Sequence, residues 1–540
     1  LLKVSRQKFL SLLHDAATLF RPFLRRVGSI RVTHLRPATF AHQTKKALVA
    51  CGRKDLLRIT TEDPVHRFHA FLIFAAAAAL AACNSSNAVP QPLTPAKPIQ
   101  HVIIMMQENR SFNNIFAGFP GANTALTGAC EPAKWCKTGT IKLKAVTLET
   151  TDRLGLGTDI DHSHNGFKIE CHLNSSGVCQ NDGFDKIRFG ASGTGELAKT
   201  YPYAYVERSE TKAYWDFAKQ YALADQMFFT QTAASFIAHQ IILSGTVALN
   251  ANESLTDQPN GMPWGCDASP GTHTPILRTD GKEDEYGPYP CFTQYGSMAD
   301  LLDSAHVSWK YYVDPETGKG ADFSGEVWNG YDAIAKVRCK TWTAPINLPS
   351  DCHGFGSDWA NMSFPNTNVF KNISGGTLPS VSWLIPSLED SDHPASGCSG
   401  GPRWVSSVVN AIGQSKYWDS TAVILLWDDW GGWYDPAPPA QTNYTSLGFR
   451  VGMVVISPWA RPNTVSHTQY DFGSILKFIE QNFGLGSLHT TDETANSMGD
   501  VFDFSQKPTK FVPEPLPHKA TCAGHASTQR IIENDGDVPE

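Results

Sequence analysis

The feature that most constrains this chain is a set of short apolar runs that stop abruptly at polar, ligand-type side chains. Residues 101–106 read HVIIMM and are followed at once by Gln107, Glu108, Asn109 and Arg110. Residues 422–427 read AVILLW and lead into Asp428 and Asp429, residues 451–456 end at Ser457 and Pro458, and residues 381–385 end at Pro386. Runs this short and this apolar predict strands buried on both faces. Helical patterns separate them, for example over residues 213–224 and 472–483. The alternation predicts an α/β fold whose mainly parallel sheet is covered on both sides. In open sheets of that kind ligands gather beyond the carboxyl ends of the strands, which is where Glu108, Asn109, Asp428 and Asp429 are expected to emerge.

Adjacent carboxylates repel, so a cleft that gathers them needs a cation or a proton to compensate. An oxygen-rich set suits a hard divalent metal. Taken singly, each strand-end acid is more often a helix cap or turn residue than a metal ligand.

Charge is divided unevenly along the 540 residues. The first 82 residues hold fourteen Lys and Arg against four Asp and Glu, so the formal total of −7 leaves −17 on residues 83–540. An acidic body of this kind argues against nucleic-acid binding. With 41% hydrophobic residues the chain is too apolar for disorder and too polar for a multi-span membrane protein.

Residues 71–80 (FLIFAAAAAL) are too short an apolar run for a comfortable span, and fit a signal-peptide core. Leu80, Ala81, Ala82 and Cys83 follow the pattern of a bacterial lipobox, which places a lipid anchor on Cys83. The expected organisation is a non-native upstream extension or basic arm at 1–65, a lipoprotein-type signal peptide at 66–82, a Pro-rich tether at 83–98 and one large folded domain at 99–540. It implies an exported bacterial protein of the periplasm or cell envelope. Ten cysteines beyond Cys83 fit disulfides in an oxidising compartment. Neighbours suggest 130 with 136, 171 with 179, 266 with 291, 339 with 352, and 398 with 522, although sequence does not fix connectivity.

Five motifs lie in order along this body: QENRSF (107–112), DGF (182–184), SFIAHQ (235–240), SDHP (391–394) and WDDWGGWYDPAPP (427–439). Together they resemble the bacterial phosphoesterase family of acid phosphatases and phospholipases C. The resemblance implies an alkaline-phosphatase-like three-layer α/β/α sandwich and hydrolysis of phosphate esters with a divalent metal of unknown identity. It implies Glu108, Asn109, Ser235, Asp428 and Asp429 as metal ligands and Ser235 as the nucleophile that carries a phosphoserine intermediate. It also implies His393 as a group that contacts the phosphate or the leaving group, with His162 or His164 supplying another and His353 as a weaker addition. Asp435 is followed by Pro436 where relatives commonly have histidine, so no histidine role is expected there.

The chemistry fits the residue types. A serine hydroxyl is a poor nucleophile until its pKa is lowered, and imidazole transfers protons near neutral pH. A broad-specificity acid phosphomonoesterase is the first expectation, supported by serine at 235 and by a chain that ends at Glu540 without the C-terminal β domains of many phospholipase relatives. A phospholipase C acting on phosphatidylcholine-type lipids is the second, and a non-catalytic surface-binding lipoprotein the third. The aromatic residues of the 427–434 turn read as packing, and Gly431 and Gly432 as permitting a tight turn.

Overall fold

The structure, a computed structural model, describes residues 98–148, 159–441 and 445–519. The extension, signal segment, Cys83 and nearly all of the tether lie outside the described residues, as does Cys522.

Eight strands form the central sheet: β1 (His101–Gln107), β2 (Ala222–Ala224), β3 (Trp309–Tyr312), β4 (Met362–Ser363), β5 (Val381–Leu384), β6 (Thr421–Trp427), β7 (Met453–Ile456) and β8 (Thr464–Ser466). Their order is β4-β3-β5-β1-β6-β7-β2-β8. Every pairing is parallel except the two that β7 makes with β6 and β2. All seven residues of β6 are buried, and all of β1 but His101. Successive strand residues point to opposite faces, so both faces are covered and the sheet is the middle layer of an α/β/α sandwich. The helices used below are α1 (Phe112–Phe116), α2 (His164–Cys171), α3 (Lys212–Gln220), α4 (Ser235–Ser244), α5 (Gly401–Gly413) and α6 (Phe472–Phe483).

The apolar runs therefore form strands as expected, with two differences. The helix expected over 213–224 stops at Gln220, and Ala222–Ala224 becomes β2. Alanine favours a helix intrinsically, but here pairing with β7 and β8 decides the outcome. The run ending at Ser457 belongs to an antiparallel strand, so its end lies at the opposite edge from Asp428, beside the start of β6, where Ser457 Oγ donates to the Thr421 carbonyl at 2.8 Å.

Four disulfides join Cys130 to Cys136, Cys171 to Cys179, Cys266 to Cys291 and Cys339 to Cys352, the pairs that sequence neighbourhood suggested. Among the described residues no helix is long and apolar enough to cross a membrane.

Candidate active site

Strand register builds the site. β1 and β6 run parallel and in step up to the pair Gln107 and Trp427. The next residues on each, Glu108 with Asn109 and Asp428 with Asp429, must then leave the sheet side by side. The ladder extends one step further, with the Asp428 N–H donating to the Gln107 carbonyl at 2.9 Å. The Asn109 N–H donates to Asp428 Oδ1 at 2.7 Å, and the Gly431 N–H to Asp429 Oδ1 at 2.6 Å. Asn109 takes a positive φ of 54°, a conformation that Asn tolerates better than most side chains and that is frequent at functional sites.

The turn after the aspartates presses against this residue. Gly431 has φ of 58°, and a Cβ there would lie 2.2 Å from the Asn109 carbonyl oxygen. Trp427, Trp430, Trp433 and Tyr434 are buried around the turn, which is the packing role expected of them.

Asn109 is the hub. Its Oδ1 accepts from Ser235 Oγ at 3.2 Å, while its Nδ2 lies 3.2 Å from His162 Nε2 and 3.1 Å from His393 Nε2. One amide group thus has its oxygen on the serine and its two N–H groups on two imidazoles. His162 Nδ1 meets the Ile160 carbonyl at 2.7 Å, which fixes the proton on Nδ1 and leaves Nε2 to accept. Ser235, the first residue of α4, also reaches Asp429 Oδ2 at 3.2 Å. Sequence offered a helix cap as the plain use of Ser235, but Ala234 occupies the cap position and Ser235 faces the acids.

The electrostatics of the acids favour a bound cation. Burial, then the neighbouring Asp428 and Asp429, pushes the Glu108 carboxyl well above its usual range. Asp429 is raised to about 8, by burial first and Asp428 second. Glu108 Oε2, Asp428 Oδ2 and His239 Nδ1 are buried polar atoms without a hydrogen-bond partner. Glu108, His239 and Asp428 offer ligand atoms all within 4.8 Å of one another. Carboxylates, an imidazole, an amide oxygen and a hydroxyl together make a donor set that fits a divalent cation.

A model described as the phosphoesterase family matches residues 99–486. The chain belongs to the phosphoesterase family. It is a phosphoric ester hydrolase. Phospholipase C A of Mycobacterium tuberculosis is 24% identical over 495 residues, covering 82% of this chain and 84% of that protein. Hemolytic phospholipase C of Pseudomonas aeruginosa is 25% identical over 453 residues, covering 75% of this chain and 56% of its own length, so this phosphoesterase spans little more than half of that relative. Among solved structures, a protein in the alkaline phosphatase superfamily from Vibrio parahaemolyticus shares 13% identity over 54% of this chain and 65% of that one, with a TM-score of 0.27.

Within this phosphoesterase the structure brings together Glu108, Asn109, His162, Ser235, His393, Asp428 and Asp429. His164 turns elsewhere: its Nδ1 meets Thr232 Oγ1 at 2.7 Å and its Nε2 lies 3.8 Å from Glu283. His353 sits on an exposed hairpin strand, Cys352–Phe355, with Nε2 3.0 Å from Thr343 Oγ1, and is not among the residues gathered around Asn109. Asp435 is spent on structure, gripping the buried Arg450 at 2.7 and 3.1 Å.

Two site residues escaped the sequence reading. His239 lies one turn after Ser235 in SFIAHQ and places Nε2 3.2 Å from Glu108 Oε1; burial holds its pKa down to about 4. The i, i+4 spacing from Ser235 was the available signal. Buried Asp159 lies 3.8 Å from His162 Nδ1 and 4.0 Å from His393 Nε2, and only its position three residues before His162 hinted at it.

Proposed function

We propose that this chain hydrolyses phosphate esters through a covalent phosphoserine at Ser235, with broad specificity for phosphomonoesters. The observation that carries the reading is the position of Ser235 Oγ, 3.2 Å from both Asn109 Oδ1 and Asp429 Oδ2, with two imidazoles on the far side of the same amide. Glu108, Asn109, Ser235, Asp428 and Asp429, joined by His239, would hold a divalent metal. Such an ion, when bound, offsets the carboxylate charge, acidifies an alcohol and polarises a phosphoryl oxygen.

The chain's own groups supply the rest. Ser235 gives its proton to the carboxylate it faces, Asp429, and Oγ forms a bond to phosphorus as the ester P–O bond breaks. An approaching phosphate dianion favours the protonated form of a neighbouring imidazole. His393 Nε2, which once protonated no longer accepts from the Asn109 N–H, gives its proton to the leaving alkoxide. The neutral ring then takes a proton from the attacking water, whose oxygen bonds to phosphorus as the P–Oγ bond breaks, and Asp429 returns its proton to Oγ. His162, with Nδ1 committed to the Ile160 carbonyl, holds the Asn109 amide in place. His164 stays outside this sequence of events.

A second reading is favoured by the relatives, which are named as phospholipases C. Assays of the metal-loaded protein with p-nitrophenyl phosphate and with phosphatidylcholine vesicles separate the two. Rapid lipid cleavage with negligible monoester turnover reverses the order. Ser235→Ala is expected to abolish either activity and the mass increase of an acid-quenched intermediate, which is that of a phosphoryl group with a monoester and of a phosphocholine group with phosphatidylcholine; full turnover in that variant refutes the nucleophile assignment.

The reading includes export, with a lipid on Cys83. Four disulfides support an oxidising compartment. Intact-mass analysis of the native protein tests it, and a product that retains residues 1–82 refutes it.

A further inference from the structure

We propose that Asp392 is the positioning residue for His393, because four buried hydrogen bonds fasten it to the ends of β1 and β6 and to α3, one residue before the imidazole that lies against Asn109. The proposal rests on the reading of His393 as proton donor to the leaving group.

The SDHP segment lies between β5 and α5, with no strand or α-helix to hold it. Asp392 provides the missing order. Its backbone N–H donates to Gln107 Oε1 at 2.9 Å, and its carbonyl accepts from Arg110 Nε at 2.7 Å. Its Oδ2 accepts from Tyr214 on α3 and from Trp427 Nε1 on β6, both at 2.9 Å. Every partner is buried. Gln107 and Trp427 are the paired last residues of β1 and β6, immediately before Glu108 and Asp428. The loop is therefore indexed to the same two strand ends that set the carboxylates.

A residue whose N–H and carbonyl are both held fixes the peptide groups on either side of it and leaves little freedom to pass to the next residue. The His393 N–H adds a bond to Ser391 Oγ at 3.3 Å, and its ring packs 5.8 Å from that of Trp328. With the backbone fixed, Nε2 stays 3.1 Å from Asn109 Nδ2. Asp392 itself makes no hydrogen bond to Ser235 or Asn109; its routes to the reaction are the adjoining His393 and, through Gln107, Trp427 and its own charge, the acids at the strand ends, and the graded-ester test below separates the two. The first turn of α5 also closes on it: a Cβ on Gly401 would lie 2.2 Å from Asp392 Oδ1 and 2.8 Å from the Tyr214 hydroxyl.

A plain structural staple and a positioning residue differ in what their loss does to different leaving groups. Loss of a proton donor hurts esters with poor leaving groups most, whereas a partly unfolded or distorted enzyme loses all substrates alike. The test measures kcat/KM of the metal-loaded protein on aryl and alkyl esters of graded leaving ability, phosphate or phosphocholine esters according to which assay above turns over. The variants are His393→Ala, Asp392→Ala, the pair combined, and Tyr214→Phe. His393→Ala is expected to lose about 10²–10³-fold with a phenyl ester and less than about tenfold with a 2,4-dinitrophenyl ester. Asp392→Ala is expected to show the same graded loss, with the double variant no worse than His393→Ala alone. Tyr214→Phe removes one of the two side-chain anchors and is expected to show a shallower version, about 3–10-fold, and it carries the test should Asp392→Ala not fold. A uniform loss in Asp392→Ala and Tyr214→Phe beside a graded loss in His393→Ala overturns the positioning role and leaves the donor reading standing. A uniform loss in His393→Ala overturns the donor reading, and the proposal with it.

Discussion

Ser235 and His239 lie one turn apart on the same helix and close on different members of one carboxylate row, Ser235 Oγ at 3.2 Å from Asp429 and His239 Nε2 at 3.2 Å from Glu108. A single helix face thus touches both strand ends, which ties the nucleophile's position to the charge balance of the acids. All ten residues of this helix are buried, so neither side chain can relax into solvent.

His239→Ala is accordingly expected to weaken divalent metal binding by about 10–100-fold, the range found when groups around a metal site are removed. Competition between the protein and a chromogenic chelator measures this directly, without reliance on turnover. Wild-type retention of the metal would show that His239 only fills space beside Glu108.

Asp435 and Arg450 form a fully buried, two-point ion pair. Removing one member of such a pair strands the other charge in the interior. Asp435→Ala is expected to cost about 3–5 kcal/mol in denaturant unfolding, with Asp435→Asn less severe because the amide oxygen still accepts from the guanidinium. A loss under ~1 kcal/mol for the alanine variant would contradict the burial argument.

Much of this site is legible in sequence because the strand ends are. The change from HVIIMM to Gln107–Glu108, and from AVILLW to Asp428–Asp429, marks where buried strands leave the sheet, and parallel register then brings the acids together. Short spacing made four disulfides readable in the same way. What stayed hidden depends on long-range pairing. Strand direction is not written locally, so the reversal of β7 was invisible, and Ala222–Ala224 joins the sheet only because β7 and β8 flank it. His239 stands in an entirely buried, apolar helix, where a histidine reads as core until Glu108 is seen beside it.

Gly431 tests how closely the turn supports Asn109. Its φ of 58° already disfavours a side chain, and an alanine methyl would meet the Asn109 carbonyl at 2.2 Å. Gly431→Ala is expected to cost about 1–3 kcal/mol of stability. It is also expected to lower kcat/KM well below that of Gly484→Ala, which shares a positive φ of 69° but meets nothing within 4 Å. Equal activity in the two variants would show that Asn109 tolerates displacement.

Far from the site, Glu480 on α6 makes stability depend on pH. Burial raises its carboxyl from 4.5 to about 7, although its Oε1 accepts the Leu488 N–H at 3.1 Å, and the nearby Asp492 adds to the rise. A folded pKa above the unfolded one means that the native state holds its proton more tightly. Stability from this group is therefore present below about pH 4.5 and declines as pH rises towards 7, then levels off. Glu480→Gln cannot ionise, and its amide oxygen can still accept from Leu488. The variant is expected to match the wild type near pH 4.5 and to exceed it above pH 7 by on the order of 1–3 kcal/mol, since each pKa unit is worth about 1.4 kcal/mol. Thermal unfolding of both proteins across this range checks the sign: a variant less stable than the wild type at pH 8 would show that the ionised carboxylate is stabilised in its pocket, contrary to the burial argument.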